Sequence, residues 1–245
     1  MKNTTIILLA LLFSPQILFA AKLPSDMVQI QAGCFMMGSN ENNIYEDDDD
    51  STREKPAHNV CLDEFYLDQF EVTQSKWDAV MNFNRSVFHN PEQPITHIKW
   101  KEASKYCKII GRRLPSEAEW EYAYRAGTRT KFYNGDDNDK SGEIGQCTDN
   151  NFVSTTRVGT KLPNAFGLFD MAGSLWERCS DYWNPSYEPV EATDPQGPKS
   201  GFARAHRGGG WDTYCRTCNA TSRSGSTEAY AGSQTGFRLT RTEQD

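Results

Sequence analysis

Arg207-Gly208-Gly209-Gly210-Trp211, with Cys215 and Cys218 close behind it, constrains this chain more than any other stretch. Three glycines between an arginine and a tryptophan let the main chain adopt conformations closed to other residues. They also let it lie directly against a ring or a guanidinium. Such a segment belongs in a close-packed loop, not in the middle of a helix. The two thiols that follow offer either a disulfide that pins the loop or a pair of soft metal ligands.

Which of these applies depends on where the chain resides. Residues 1–20 read as a secretory signal: Lys2 provides the positive end, residues 6–13 an apolar run, and Leu18-Phe19-Ala20 a small-residue cleavage site. The run is too short to cross a bilayer and no later stretch matches its hydrophobicity. The reading is an exported chain, periplasmic or secreted, with no transmembrane segment and one domain over residues 21–245. Seven cysteines in such a chain predict disulfides with one thiol left over.

Several function classes drop out. A net charge of −7 gives no basic footprint, so nucleic acid is not an expected partner. His58, His89, His97 and His206 are scattered, and neither a His-Glu-x-x-His zinc helix nor a Gly-x-Ser-x-Gly elbow occurs. The acidic run at residues 46–50 lacks the alternating oxygen ligands and central glycine of a calcium loop and reads as solvated chain.

Element signals are clearest in the first half. Residues 27–37 read as an extended pair turning at Ala32-Gly33, and residues 61–72 as a strand pairing with it. That register would set Cys34 beside Cys61, a reasonable disulfide. Thr73 suits the cap of a short helix, and Trp100, Ala103, Tyr106, Cys107 and Ile110 recur at helical spacing up to Gly111. Ser116-Glu117-Ala118-Glu119 forms a capping box that opens a second helix closed by Gly127. Beyond residue 130 the chain is rich in Gly, Asn, Asp and Pro. The pattern is α+β with two main helices, small sheets and much irregular loop.

These motifs, in this order, resemble the formylglycine-generating enzyme family, also called the sulfatase-modifying-factor domain. Met27-Val28-x-Ile30 through Phe35-x-Met37-Gly38-Ser39 is similar to its opening, and Phe65 through Glu71-Val72-Thr73 to its next strand. Arg113-Leu114-Pro115-Ser116-Glu117-Ala118-Glu119-Trp120-Glu121-Tyr122-Ala123 is its most recognisable segment. Asn164-x-Phe166-Gly167-Leu168-Phe169-Asp170-Met171-x-Gly173 running into Trp176-Glu177, then Arg207-Gly208-Gly209 and Gly236-Phe237-Arg238, complete the set. The resemblance implies an elaborated C-type-lectin-like fold over roughly residues 27–240. Trp120, Tyr122 and Trp176 read as core, and Arg113 and Glu117 as ion-pair or capping groups, because such motifs report fold before chemistry.

The resemblance also supplies a chemistry to test. Family enzymes bind Cu(I) through two cysteines after Arg-Gly-Gly and oxidise a substrate cysteine to formylglycine. The matching positions here are Thr213 and Cys218. Threonine is a hard, neutral donor and does not replace a thiolate, so copper is not expected. An oxidase reading would have to rest on Cys215 and Cys218. The resemblance favours instead a Cys179–Cys218 disulfide, with Cys107 either buried and free or paired with Cys147. It also implies calcium at two places, through Asn150 and Asn151 and through Glu177, although Ser174 stands where an asparagine is usual.

The expected function is therefore a ligand- or protein-binding accessory module. Its contact surface is the loop after Arg207: Asp212, Thr213, Tyr214, Arg216, Thr217, Asn219, Thr221 and Ser222. This mixture joins an aromatic anchor to adaptable hydrogen bonding. The alternative is an oxygen-dependent oxidase or maturation enzyme acting on a cysteine or another group of an exported protein or small molecule.

Overall fold

The computed structural model describes residues 26–41, 52–151 and 153–243. The signal segment and the acidic run at 46–50 lie outside the described residues.

The architecture is α+β, as the motifs imply. In chain order the strands are β1 (Met27–Ile30), β2 (Gly33–Met37), β3 (His58–Leu62), β4 (Phe65–Asp68), β5 (Gly145–Gln146), β6 (Ala172–Gly173), β7 (Trp176–Tyr182), β8 (Ala192–Thr193), β9 (Arg204–Arg207), β10 (Arg223–Ser226), β11 (Thr235–Gly236) and β12 (Thr240–Arg241). The helices are α1 (Gln74–Asp78), α2 (Trp100–Ile109), α3 (Glu117–Arg125) and α4 (Ser141–Ile144). The sheets run β1-β4-β12, β2-β3-β8, β10-β9-β7-β11 and the small pair β5-β6.

The expected pairing at residues 27–37 is corrected. β1 and β2 do not pair with each other. β1 lies antiparallel to β4, with Ile30 opposite Phe65, while β2 lies antiparallel to β3, with Cys34 opposite Cys61. The segment read as one strand over 61–72 breaks at Asp63-Glu64, where the Asp63 amide donates to Asp194 Oδ1. All four residues of β4 are buried, so that strand cannot show the apolar–polar alternation of a one-faced sheet.

Local signals held where a side chain meets its own backbone. Thr73 Oγ1 accepts from the Lys76 amide at 3.4 Å. Ser116 Oγ accepts from the Glu119 amide at 3.1 Å while Glu119 Oε2 accepts from the Ser116 amide at 2.7 Å, a complete capping box. Arg113 forks onto the same Glu119 at 2.7 Å.

Two apolar cores result. One gathers β1–β4 and α3 around Trp120, Phe65 and Phe132. The other sets Trp77 flat against Tyr106, with ring centroids 5.4 Å apart, and Phe237 edge-on to both. Of the aromatic residues read as core, Trp120 is fully buried, whereas Tyr122 and Trp176 are half-buried.

Candidate functional site

Arg207 ends β9 and is wholly buried. Its Nη2 donates to Glu121 Oε2 at 2.6 Å and to the Tyr187 hydroxyl at 2.7 Å, and its Nη1 to the Ala220 carbonyl at 3.1 Å. Its Nε lies 2.9 Å from Glu117 Oε1 but off the N–H axis, so that contact is ionic and not a hydrogen bond. Glu117 and Glu121 stand one turn apart on α3, on one face of the helix. Glu121 also takes the Arg125 fork at 2.9 and 2.8 Å and the Gly38 amide at 2.9 Å. Glu117 accepts Arg223 Nε at 2.6 Å and Nη2 at 2.9 Å. Burial alone would push Glu117 up, but Arg223 and Arg207 outweigh it and hold the carboxyl at about 2. Three arginines and two glutamates thus lock β9 and β10 to α3 beneath the loop.

The glycines follow from that clamp. Gly208 has φ +96°, and a Cβ there would come within 2.9 Å of the Trp120 ring. Gly209 has φ +80°, and a Cβ would meet Cys218 Sγ at 2.5 Å and Thr213 Cγ2 at 3.5 Å. The Cys218 sulfur therefore packs on bare backbone, with the Thr213 side chain next to it.

From there the loop is tied at several points. The Trp211 amide donates to the Ser174 carbonyl at 2.8 Å, and its Nε1 to the Ser233 carbonyl at 3.2 Å. Thr213 Oγ1 accepts from the Gly210 amide at 3.0 Å, and the Thr213 carbonyl accepts from the Thr148 amide at 3.0 Å. Asp149 Oδ2 accepts from the Cys215 amide at 2.8 Å, and Cys215 forms a disulfide with Cys147. At the tip, Tyr214 is 52% exposed and Asp212 is also exposed, while the Arg216 guanidinium lies 4.3 Å from the Tyr214 ring. Thr213, Arg216 and Thr217 are half-buried. Asn219, read as a contact residue, is buried, and its Oδ1 accepts from the Thr221 amide and hydroxyl at 2.9 and 2.8 Å. Thr221 and Ser222 are buried with it. Beside the loop, a depression of about 230 Å³ is lined by Trp211, His97 and Phe88, with Val87 and Val153 exposed at its rim.

The cysteines divide differently from expectation. Cys34–Cys61 forms as the register requires. Cys179–Cys218 does not: both are buried and unbonded. Cys215 reaches across to Cys147, while Cys218 turns inward onto Gly209 and donates to the Tyr214 carbonyl at 3.5 Å. Burial, with Asp149 and Asp212 nearby, raises the Cys218 thiol well above the usual range. Burial likewise pushes Cys107 up to about 12. Cys215 is thus a disulfide sulfur, Cys218 a protonated thiol, and Thr213 a hydroxyl already engaged with backbone. This set does not fit a Cu(I) dithiolate, and Cys215 with Cys218 does not form one.

Glu177 does not fit calcium either. Its Oε1 accepts from Arg238 Nη2 at 2.6 Å, and its Oε2 from Arg238 Nε at 2.6 Å and Trp120 Nε1 at 2.9 Å. An oxygen shell around calcium would have to displace a buried arginine. Asn151 is exposed in left-handed backbone at φ 58°, and Asn150 spends its amide on the Gly142 and Gly145 carbonyls. Among the described residues no three His, Cys, Asp or Glu side chains come together as a metal site.

Two parts of the site carry no sequence signal of their own. Tyr187 lies in an irregular stretch, yet its hydroxyl joins Arg207 to Glu117. Cys147 and Asp149 anchor the loop at Cys215 from 68 and 66 residues away.

A lectin-like α+β scaffold with an arginine–glutamate clamp under a glycine-rich loop defines the class. The chain belongs to the family of the sulfatase-modifying factor enzyme 1-like domain, whose model matches residues 17–243. It is 27% identical to the formylglycine-generating enzyme of Bos taurus over 88% of this chain and 74% of that protein. Among solved structures it is similar to Treponema denticola variable protein 1, at TM-score 0.79 and 25% identity over 87% of this chain and 94% of the other. It shares its fold with PvdO from Pseudomonas aeruginosa, at TM-score 0.78 and 23% identity over 88% and 93% of the two chains.

Proposed function

We propose that this protein is an exported, non-catalytic binding module that holds a protein partner at the loop after Arg207. The observation that carries this reading is the Cys147–Cys215 disulfide. It removes one thiol from any metal pair and fixes the loop that presents Tyr214. A rigid loop ordered before binding loses little conformational entropy when it engages a partner. Tyr214, stacked with Arg216, is the kind of aromatic–guanidinium anchor that dominates interface energetics, and the groove along Trp211 and Phe88 gives an apolar surface beside it. Two disulfides suit an oxidising compartment.

The test is affinity capture from the exported fraction of the source cells, with wild-type protein, Tyr214→Ala, Arg216→Ala and a remote control, Lys108→Ala. A partner retained by wild type and the control but lost with both loop variants supports the reading. Equal retention by all four proteins overturns it. The formylglycine-generating relatives give the alternative, an oxygen-dependent oxidase, its standing. That activity would require Cys215 to be released from Cys147 and Cys218 to ionise beside it.

A further inference from the structure

A separate cavity of about 460 Å³ opens between the start of α3 and the loop after β7, within the size range of small-molecule sites. None of its lining residues belongs to the 211–217 loop. Its apolar and aromatic walls include Met37, Ala118, Tyr182, Tyr187, Val190 and Pro198.

The charged groups that line it differ in how fully they are matched. Glu117 is held by Arg223 and Arg207. Arg223 also donates to the Arg53 carbonyl at 2.6 Å, with its guanidinium 3.9 Å from the Tyr187 ring and 4.3 Å from Trp183. His58 has its Nδ1 3.0 Å from the Pro56 carbonyl and its ring 4.8 Å from that of Tyr187. Glu188 is exposed at the edge. Asp181 is the exception. It is 4% exposed, and its Oδ2 accepts from the Glu117 amide at 2.9 Å and the Ser180 hydroxyl at 3.0 Å. Its Oδ1 receives no protein hydrogen bond among the described residues and lies beside Gly197, another lining residue, whose Cβ would come within 2.9 Å of it.

A carboxylate oxygen with no protein donor keeps its acceptor capacity for a ligand that supplies one, and a charged donor makes the stronger bond. Asp181 Oδ1 leaves an acceptor open here, and the one lining arginine, Arg223, is already paired with Glu117, which favours a cation over an anion. We propose that the cavity binds a small organic amine, with the ammonium donating to Asp181 Oδ1 and an apolar or aromatic body lying against Tyr182 and Tyr187. Burial, reinforced by the Glu117 charge, pushes the Asp181 carboxyl up to about 7. A cation at Oδ1 draws it down again, so binding near neutral pH releases a proton.

Calorimetric titration of the full chain at pH 7 with phenethylamine, phenylacetate and 2-phenylethanol tests this. The amine should bind saturably at one site, about ten-fold or more tighter than its anionic and neutral counterparts, with a heat that depends on the buffer's ionisation enthalpy. Asp181→Asn should weaken amine binding by about ten-fold and abolish the buffer dependence. Val190→Trp, on an exposed part of the rim, should block the site without changing the melting temperature. Absence of saturable amine binding, equal binding of phenylacetate, or unchanged binding by Val190→Trp would overturn the proposal.

Discussion

Arg207 decides the most at the scale of single residues. It is wholly buried between two carboxylates, and truncating it leaves the buried Glu117 and Glu121 short of a partner. Arg207→Met should therefore cost about 3–5 kcal/mol in a denaturant titration, and a loss under about 1 kcal/mol would show the clamp to be dispensable. His206, next to it, is buried against Trp176, and burial with Arg178 nearby lowers it to about 3. The unfolded chain then binds a proton below about 6.5 that the native chain does not, so His206 drains stability as pH falls from there toward 3. His206→Phe should flatten that decline, which melting temperatures at pH 7 and pH 4.5 would register. Thr213 is the third such residue. Its side chain lies next to Cys218 across Gly209. Thr213→Cys should give the protein, with its two disulfides intact, a tight Cu(I) site that wild type lacks, as read by competition with a chromogenic chelator.

Among the elements, legibility in the sequence follows the range of the interaction. The capping box at Ser116 and Glu119 closes within a single turn, so four residues announce it. Ser116→Ala should cost about 1 kcal/mol by the same denaturant titration. The Arg-Gly-Gly segment was legible as a close-packed loop because only glycine tolerates its backbone. The sheet partition was not: β4 is buried on both faces and therefore lacks alternation, and β1 and β2 part into different sheets although only two residues separate them. Nor was the Cys147–Cys215 bridge, because pairing across 68 residues depends on where α4 and the loop meet in space, which no local pattern encodes. The family resemblance sent Cys218 to Cys179, and neither is bonded. Replacing Cys147 and Cys215 together by serine should remove about 2–5 kcal/mol and open the 211–218 loop to limited proteolysis, with the body of the chain still folded at low temperature.

For the whole molecule, the scaffold of the sulfatase-modifying-factor family is retained, while Thr213 and Cys218 stand where its enzymes carry two copper-binding cysteines. The arginine–glutamate clamp, the Glu177–Arg238 pair and the two cores all serve the fold. The function proposed above rests on presentation: a stapled loop with Tyr214 at its tip and a groove beside it. The most direct test is anaerobic titration of the wild-type protein, with its Cys34–Cys61 and Cys147–Cys215 disulfides intact, with Cu(I). Mass spectrometry of a cysteine-containing sulfatase-type peptide incubated with it under oxygen completes the measurement. A dithiolate-free site predicts no stoichiometric copper uptake and no conversion of cysteine to formylglycine. One tightly bound copper per chain with peptide turnover would contradict it.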